Sequence, residues 1–234
     1  GRRENASLLD ERFDRIFFTG GMTVGRLVME KASVHLTPVL LELGGKSPCI
    51  VERTANLELT AKRIMWGKLI NAGQTCVAPD YILVHTDVKA QLMDELAKAS
   101  AELYPGDILT NPDYPHIINA KHFDRLVAML EQGKVVYGGQ YDRDSLKIAP
   151  TILDSPRLDS DLMKTEIFGP LLPILNFEAM EDAFALIRRR HKPLALYVFS
   201  EDPAVQERVM REMAFGGGCI NDTILHLTNP RMPF

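Results

Sequence analysis

Apolar residues in the first fifty positions fall into short runs separated by a segment with helical spacing. The runs at 15–19 and 39–43 have the length of strands, and a glycine pair closes each one. Between them, apolar side chains recur every three or four positions over 23–35, which predicts a helix with an inward face of Val24, Leu27, Val28 and Ala32. This order of strand, glycine turn, helix and strand indicates a βαβ unit, and therefore a parallel sheet.

The rest of the chain continues to alternate helices and strands. Asn56, Asp87 and Asp202 each precede an amphipathic stretch and are predicted to cap it, with Pro203 suited to a first helical position. The pattern predicts helices over 57–70, 88–103, 121–132, 182–190 and 203–213, and strands over 48–51, 81–85, 135–137, 194–199 and 219–225. The predicted fold class is α/β.

Composition removes several classes of function. The 234 residues are 46% hydrophobic and 25% charged with a net charge of -4, so no basic footprint for nucleic acid is expected. No apolar run reaches the ~18 residues of a membrane span. Three widely spaced cysteines, Cys49, Cys76 and Cys219, predict neither a disulfide framework nor a metal site. They fit a reducing compartment, so a cytoplasmic location is expected.

Cys76 is the first candidate for chemistry. It lies in a loop of small and polar residues between a predicted helix and a predicted strand. Such neighbours leave backbone N–H groups near the sulfur, which would favour both a thiolate and an oxyanion. A lone cysteine is also a common structural residue, so the loop alone leaves both interpretations open.

Glu42 is the second candidate, because it interrupts the apolar run 39–43 immediately before Gly44 and Gly45. Burial would make this carboxylate a stronger base, as a general base working near neutrality requires. The alternative is a solvated carboxylate at the end of a strand. The sequence around Glu42 does not decide between the two.

Four segments together resemble the aldehyde dehydrogenase family. Leu41-Glu42-Leu43-Gly44-Gly45-Lys46 and Gly73-Gln74-Thr75-Cys76 are similar to its paired active-site signatures. Glu166-Ile167-Phe168-Gly169-Pro170 resembles its third motif, and Phe17-Phe18-Thr19-Gly20 through Val24-Gly25 its cofactor turn. The motifs occur in the family's order. Two further segments, His35-Leu36-Thr37-Pro38 and Ala78-Pro79-Asp80-Tyr81, are similar to the class 3 branch of the family. That branch acts on aromatic and on medium-chain to long-chain aliphatic aldehydes.

The resemblance implies a mechanism and a cofactor. Cys76 would attack the aldehyde as a thiolate and pass through a thiohemiacetal to a thioester, and Glu42 would activate the water that releases the acid. NAD or NADP would accept the hydride. The residues implied to contact the cofactor are Thr19, Gly20, Gly21, Val24, Gly25, Glu166 and Phe168, with Glu166 on the nicotinamide ribose hydroxyls. Without the resemblance, a glycine pair such as Gly20-Gly21 is more often an ordinary turn.

The resemblance also implies how the chain is organised. Residues 1–46 are expected to end a Rossmann-like NAD(P)-binding domain, and residues 47–234 to form a catalytic domain with a mostly parallel sheet. Family members are about twice as long, so we expect a fragment of a longer protein. The complete protein is expected to be a homodimer, and some class 3 relatives attach to membranes through a tail that this chain lacks.

Two other functions remain open at this stage. Cys76 and Glu42 could cleave activated esters without a cofactor, as a thiol esterase does. Alternatively, the chain could be a catalytically silent fragment that acts as an interaction module.

Overall fold

The computed structural model describes residues 2–231, and the chain divides into two compact units, residues 1–44 and 45–234. The first unit contains helix α1 (Arg2–Leu9), strand β1 (Ile16–Gly20), helix α2 (Met22–Ser33) and strand β2 (Val39–Leu43). Strands β1 and β2 pair in parallel, which confirms the predicted βαβ unit.

The second unit is built on a sheet with helices on both faces. Its strands are β3 (Pro48–Val51), β4 (Tyr81–His85), β5 (Lys134–Tyr137), β6 (Tyr141–Asp142), β7 (Lys147–Ile148), β8 (Thr151–Asp154), β9 (Leu171–Phe177), β10 (Ala195–Phe199) and β11 (Gly217–Ile220). Its helices are α3 (Leu57–Leu69), α4 (Lys89–Leu103), α5 (Ala120–Met129), α6 (Asp161–Lys164), α7 (Met180–Arg188) and α8 (Pro203–Glu212).

Seven of these strands form one sheet in the order β11-β10-β3-β4-β9-β8-β5. All neighbours in it are parallel except β5, which is antiparallel to β8, and β6 and β7 form a separate hairpin. The α/β class is confirmed. The central strands β3, β4 and β10 are buried on both faces, which explains their almost continuous apolar sequence.

Two apolar cores cover the two faces of the sheet. On one face, α3 and α4 pack through a core that includes Ala61, Ile64, Met65, Leu69, Leu92, Leu96 and Ala99. On the other, α7 and α8 pack through Phe184, Ile187 and Val209. The sheet is therefore rigidly held, and the loops at its ends are carried on fixed strands.

Two of the three predicted helix caps are confirmed. Asn56 accepts a hydrogen bond from the Leu59 N–H at 3.2 Å, and Asp202 accepts one from the Ala204 N–H at 2.8 Å. The predicted cap at Asp87 is wrong. That residue lies inside a 3₁₀ turn over Thr86–Val88, where the His85 ring accepts its N–H, and α4 begins afterwards at Lys89.

The strand assignments also differ from the pattern: one predicted strand ends early, and the four strands β6 to β9 were not predicted. The predicted strand over 219–225 ends at Ile220, because Asn221 and Ile224 have positive φ and the chain turns away from the sheet. Conversely, β9 was not predicted, although it lies between β4 and β8. Its run contains Pro173, a residue that argues against a central strand.

Candidate active site

Three of the four motif segments enter neighbouring strands at the same end of the sheet. Residues 44–46 lead into β3, residues 73–80 into β4, and residues 166–170 into β9. These strands are adjacent and parallel, in the order β3-β4-β9. The segments are therefore carried to a common edge although they are far apart in the chain.

The loop that carries Cys76 begins with an abrupt change of direction after α3. Asn71, Ala72 and Gly73 follow one another with φ values of 52, 51 and 76°. This is a left-handed stretch that side-chain-bearing residues rarely adopt, and its strain requires support from neighbouring contacts.

Gln74 supplies much of that support. Its side-chain amide donates to the carbonyl oxygens of Asn71 at 3.2 Å and His116 at 3.0 Å, and its Oε1 accepts the Ile118 N–H at 3.0 Å. The Asn71 amide donates in return to the Gln74 carbonyl at 3.1 Å. The loop is thereby tied both to itself and to the segment 116–118.

Cys76 is half-buried at the centre of this loop and packs against the core beneath it. The next residue, Val77, is fully buried, and its carbonyl accepts the hydroxyl of Tyr197 on β10 at 2.7 Å. A backbone hydrogen bond from the Ala78 N–H to the Thr75 carbonyl, 3.0 Å long, closes a turn around the cysteine. The sulfur is therefore held on a backbone of fixed shape and is not sealed in the core.

The loop before β9 packs directly against the Cys76 loop. A Cβ atom added to Gly73 would overlap the carbonyl oxygen of Gly169. Glycine is therefore required at position 73 both for its positive φ and for this close approach. Gly169 is itself closed in by the side chain of Leu126 on α5, and Phe168 is half-buried with a φ of 51°.

Glu166 is the charged side chain at this junction. Its Oε1 atom is buried and makes no hydrogen bond to any residue that the structure describes. Burial raises the pKa of Glu166 to about 7, with the charge of Asp80 acting in the same direction, while the Gly45 N–H, Lys46 and Arg125 oppose the rise. A buried carboxylate oxygen without a donor is an unusual cost in a folded protein, and it fits a ligand that brings hydroxyl groups.

In the first unit, the predicted cofactor turn lies where β1 passes into α2. Gly21 is the N-cap residue of that helix, and its carbonyl accepts the N–H groups of Val24 at 3.1 Å and Gly25 at 3.0 Å. Thr19 and Gly20 form the end of β1, and Gly25 packs against Leu43. The strand, the turn and the first helical turn form one short corner.

Glu42 lies at this corner too. It is half-buried on β2, directly opposite Thr19 in the parallel pairing, and the next pair is Gly20 with Leu43. The structure thus brings Glu42 together with the predicted cofactor turn within the first unit. Cys76, Glu166 and Phe168 are brought together within the second, and a joint role for the two groups stays a prediction.

Four further side chains of reactive or polar type, Cys49, Cys219, Asn221 and Trp66, lie outside these two groups. Cys49 is fully buried, and burial raises its pKa. Cys219 is half-buried beside His226, with its Sγ atom 3.6 Å from Nδ1. Asn221 exchanges two hydrogen bonds with the Ser200 backbone, at 2.9 and 3.0 Å. Trp66 is 41% exposed and lines a surface groove, so it does not belong to the core.

Residues 2–231 contain no helix that combines the length and the apolarity needed to cross a membrane. Over the same range, no three His, Cys, Asp or Glu side chains are placed to hold a metal ion.

Sequence reasoning passed over the buried charges around Glu166. Lys46 ends one motif and Asp80 follows Cys76 by four residues, yet nothing in the sequence pattern indicates that the two side chains pair. Arg125 is far from any motif, and its guanidinium binds the carbonyl oxygens of Glu166 and Ile167. The signal available in the sequence was the position of Lys46 itself, a charged residue in a motif of mostly apolar residues and glycines, which indicates a role at the site.

Comparison with known families gives one match that covers nearly the whole chain. The model described as "Aldehyde dehydrogenase family" matches residues 3–234. Among curated proteins, the chain is 50% identical to the 4,4'-diaponeurosporen-aldehyde dehydrogenase of Staphylococcus aureus (strain NCTC 8325 / PS 47), over 100% of this chain and 51% of that protein. It is 46% identical to the "Aldehyde dehydrogenase, dimeric NADP-preferring" of Rattus norvegicus, over 100% of this chain and 52% of that protein.

A solved structure shares the fold closely. The substrate-bound state of Staphylococcus aureus AldH superimposes with a TM-score of 0.96 at 50% identity, covering 100% of this chain and 52% of that one. The chain therefore spans about half the length of the relatives it matches.

Proposed function

Because this chain belongs to the aldehyde dehydrogenase family, we propose that the protein containing it oxidises aldehydes to carboxylic acids, with NAD or NADP as hydride acceptor. One observation supports this above the others. The loop of a half-buried cysteine packs against a loop whose buried carboxylate has an oxygen without a donor. A nucleophile and a binding group for a polyhydroxyl ligand thus lie in loops that lead into adjacent strands.

In the proposed first step, the Cys76 thiolate attacks the carbonyl carbon of the aldehyde. A C–S bond forms and the carbonyl π electrons move to the oxygen, which the Cys76 backbone N–H would stabilise. The C=O bond then re-forms as a hydride leaves, and a thioester remains on Cys76. The nicotinamide cofactor, when bound, supplies the acceptor for that hydride.

In the second step, Glu42 removes a proton from water, and the resulting hydroxide attacks the thioester carbon. The C–S bond breaks, the carboxylic acid leaves and the thiolate is restored. The placement of Glu42 at the end of an apolar strand, half-buried, is consistent with a general base.

The residues implied to hold the cofactor fit a dinucleotide. The N-terminus of α2, a helix of 12 residues, offers its dipole to a phosphate, and the exposed Gly21 leaves the backbone accessible there. Thr19, Gly20, Val24 and Gly25 surround that corner. In the second unit, Oε1 of Glu166 can accept a ribose hydroxyl, with Phe168 beside it.

The substrate class and assembly are also proposals. We expect medium-chain to long-chain aliphatic or aromatic aldehydes. The similar Staphylococcus aureus protein is named a 4,4'-diaponeurosporen-aldehyde dehydrogenase, and the rat relative is named as dimeric and NADP-preferring. A homodimer is therefore expected for the complete protein, and the cysteine pattern favours a cytoplasmic location.

The test incubates the complete protein with an aldehyde and NAD or NADP, and separately with an activated ester and no cofactor. NADH or NADPH formation that is lost in Cys76→Ser supports the proposal. Ester cleavage without any reduced cofactor would instead indicate a thiol esterase. Neither activity, together with equal iodoacetamide labelling of Cys76, Cys49 and Cys219, would indicate a silent interaction module.

A further inference from the structure

Lys46 and Asp80 form an ion pair that is almost completely inaccessible to water. Their side chains are 7% and 5% exposed, and the ammonium of Lys46 contacts Oδ2 of Asp80. Burial lowers the pKa of Lys46, and the charge and hydrogen bond of Asp80 oppose that change. Because a buried ion pair rarely adds stability over an apolar pair of the same volume, its presence calls for another explanation.

The other side-chain hydrogen bonds of the pair go to the segment 162–167, on both sides of Glu166. Lys46 Nζ donates to the carbonyl oxygens of Leu162 at 2.8 Å and Thr165 at 3.0 Å. With Asp80, these two acceptors use the three donors of the ammonium group. On the other side of the pair, Oδ1 of Asp80 accepts the Ile167 N–H at 2.9 Å. The backbone is therefore held on both sides of Glu166.

The pair also joins that loop to the other two motif segments. Lys46 follows Gly45, whose N–H is near enough to the Glu166 carboxylate to lower its pKa. Asp80 ends the Cys76 loop, and its N–H donates to the Ser47 carbonyl at 2.8 Å. One buried charge pair thus connects the three segments that lead into β3, β4 and β9.

We infer that Lys46 and Asp80 are positioning residues that fix the Glu166 loop for the cofactor and leave the reactivity of Cys76 unaffected. The part of this inference that concerns the cofactor rests on the proposed function. The part that concerns the loop rests on the hydrogen bonds alone. The bonds of Gln74 to residues 116–118 and of the Val77 carbonyl to Tyr197 hold the Cys76 loop without the pair, so the nucleophile keeps its place when the pair is removed.

The test compares Lys46→Met with a matched control, Lys89→Met, in the complete protein. Lys89 also forms an ion pair, 2.6 Å from Asp154, but β8 ends there, so that pair lies at the opposite end of the sheet. Asp80→Asn and the double variant complete a mutant cycle. Asp80 also acts on the buried Lys68, so Lys46→Met is the primary variant.

The first measurement is hydrogen–deuterium exchange of the backbone amides at 162–170. Lys46→Met should raise exchange there by about tenfold or more, the size of a lost charge-assisted hydrogen bond, while Lys89→Met should not. In the cycle, the double variant should resemble Lys46→Met, because the two residues act as one unit. Unchanged exchange at 162–170 overturns the inference, whether or not the protein binds NAD or NADP.

The second measurement separates cofactor binding from thiol chemistry. Lys46→Met should raise the Kd and KM for NAD or NADP by about tenfold, with ester hydrolysis and iodoacetamide labelling of Cys76 within about twofold of wild type. A parallel fall in all these quantities would show a general structural role and overturn the inference. If Lys46→Met does not fold, Asp80→Asn is judged by the same two criteria. If the wild-type protein has no affinity for NAD or NADP, the proposed function is refuted. The hydrogen–deuterium exchange at 162–170 then still shows whether the pair fixes the loop.

Discussion

A methyl group added at Gly73 should be far more disruptive than the same change at another glycine of similar conformation. The φ of Gly73 is +76°, and its missing Cβ would overlap the carbonyl oxygen of Gly169. Gly106 provides the matched control, because its φ is +85° and no atom lies within 4 Å of its Cβ position. The two substitutions therefore share the conformational cost and differ in the contact.

The magnitude follows from these two contributions. An alanine in the left-handed region costs about 1–2 kcal/mol, which is the whole effect expected for Gly106→Ala. Gly73→Ala should add ~1–3 kcal/mol, because a backbone carbonyl has to move to accommodate the methyl group. Moving Gly169 would also displace the Glu166 loop and the Cys76 loop relative to each other.

Urea unfolding followed by circular dichroism measures the two losses of stability, and ester hydrolysis reports on Cys76. We expect the midpoint to fall more for Gly73→Ala than for Gly106→Ala, and ester hydrolysis to fall only for Gly73→Ala. Equal losses of stability with unchanged ester hydrolysis would refute the reasoning, because the two loops would then not be in contact.

Three further predictions test the site and the fold. Burial raises the pKa of Glu166 to about 7. The folded protein should therefore lose stability relative to Glu166→Gln as pH rises from about 4.5 to about 7, measured as the difference in unfolding free energy. A difference that does not change with pH would contradict the burial of Glu166. Asn56→Ala should lower the free energy of unfolding in urea by about 1 kcal/mol and Asp87→Ala by close to nothing, because Asn56 caps a helix and Asp87 does not. Equal losses would contradict the cap assignment. Iodoacetamide should label Cys76 before Cys49, as read by mass spectrometry of peptides, because Cys49 is fully buried; equal rates would contradict this.

Local patterns in the sequence predicted the elements whose cause is local. The inward face of α3 and the caps at Asn56 and Asp202 depend on residues three or four positions apart. The strand β9 escaped prediction because Pro173 suggests an edge or a loop, whereas tertiary packing places it between β4 and β8. The turn after Ile220 depends on side-chain hydrogen bonds between Asn221 and Ser200, which no local pattern indicates.

The candidate site divides in the same way. Cys76, Glu42 and Glu166 were predicted as site residues from the motifs that contain them. A motif does not indicate where its loop lies in the fold. The pairing of Lys46 with Asp80 joins residues 34 positions apart, and its bond to the Leu162 carbonyl spans 116 positions. Such contacts arise from the order of strands in the sheet, which a single sequence does not contain.

The arrangement of motif loops on β3, β4 and β9 bears on how related sites can be recognised. Adjacency in the sheet aligns these loops, so the length of chain between β4 and β9 has no direct influence on their geometry. Insertions or deletions in the largely exposed segment 105–113 should therefore be tolerated during divergence, provided the contact of Gln74 with residues 116–118 is kept. Pattern searches for distant homologues should accordingly allow a variable gap before the third motif.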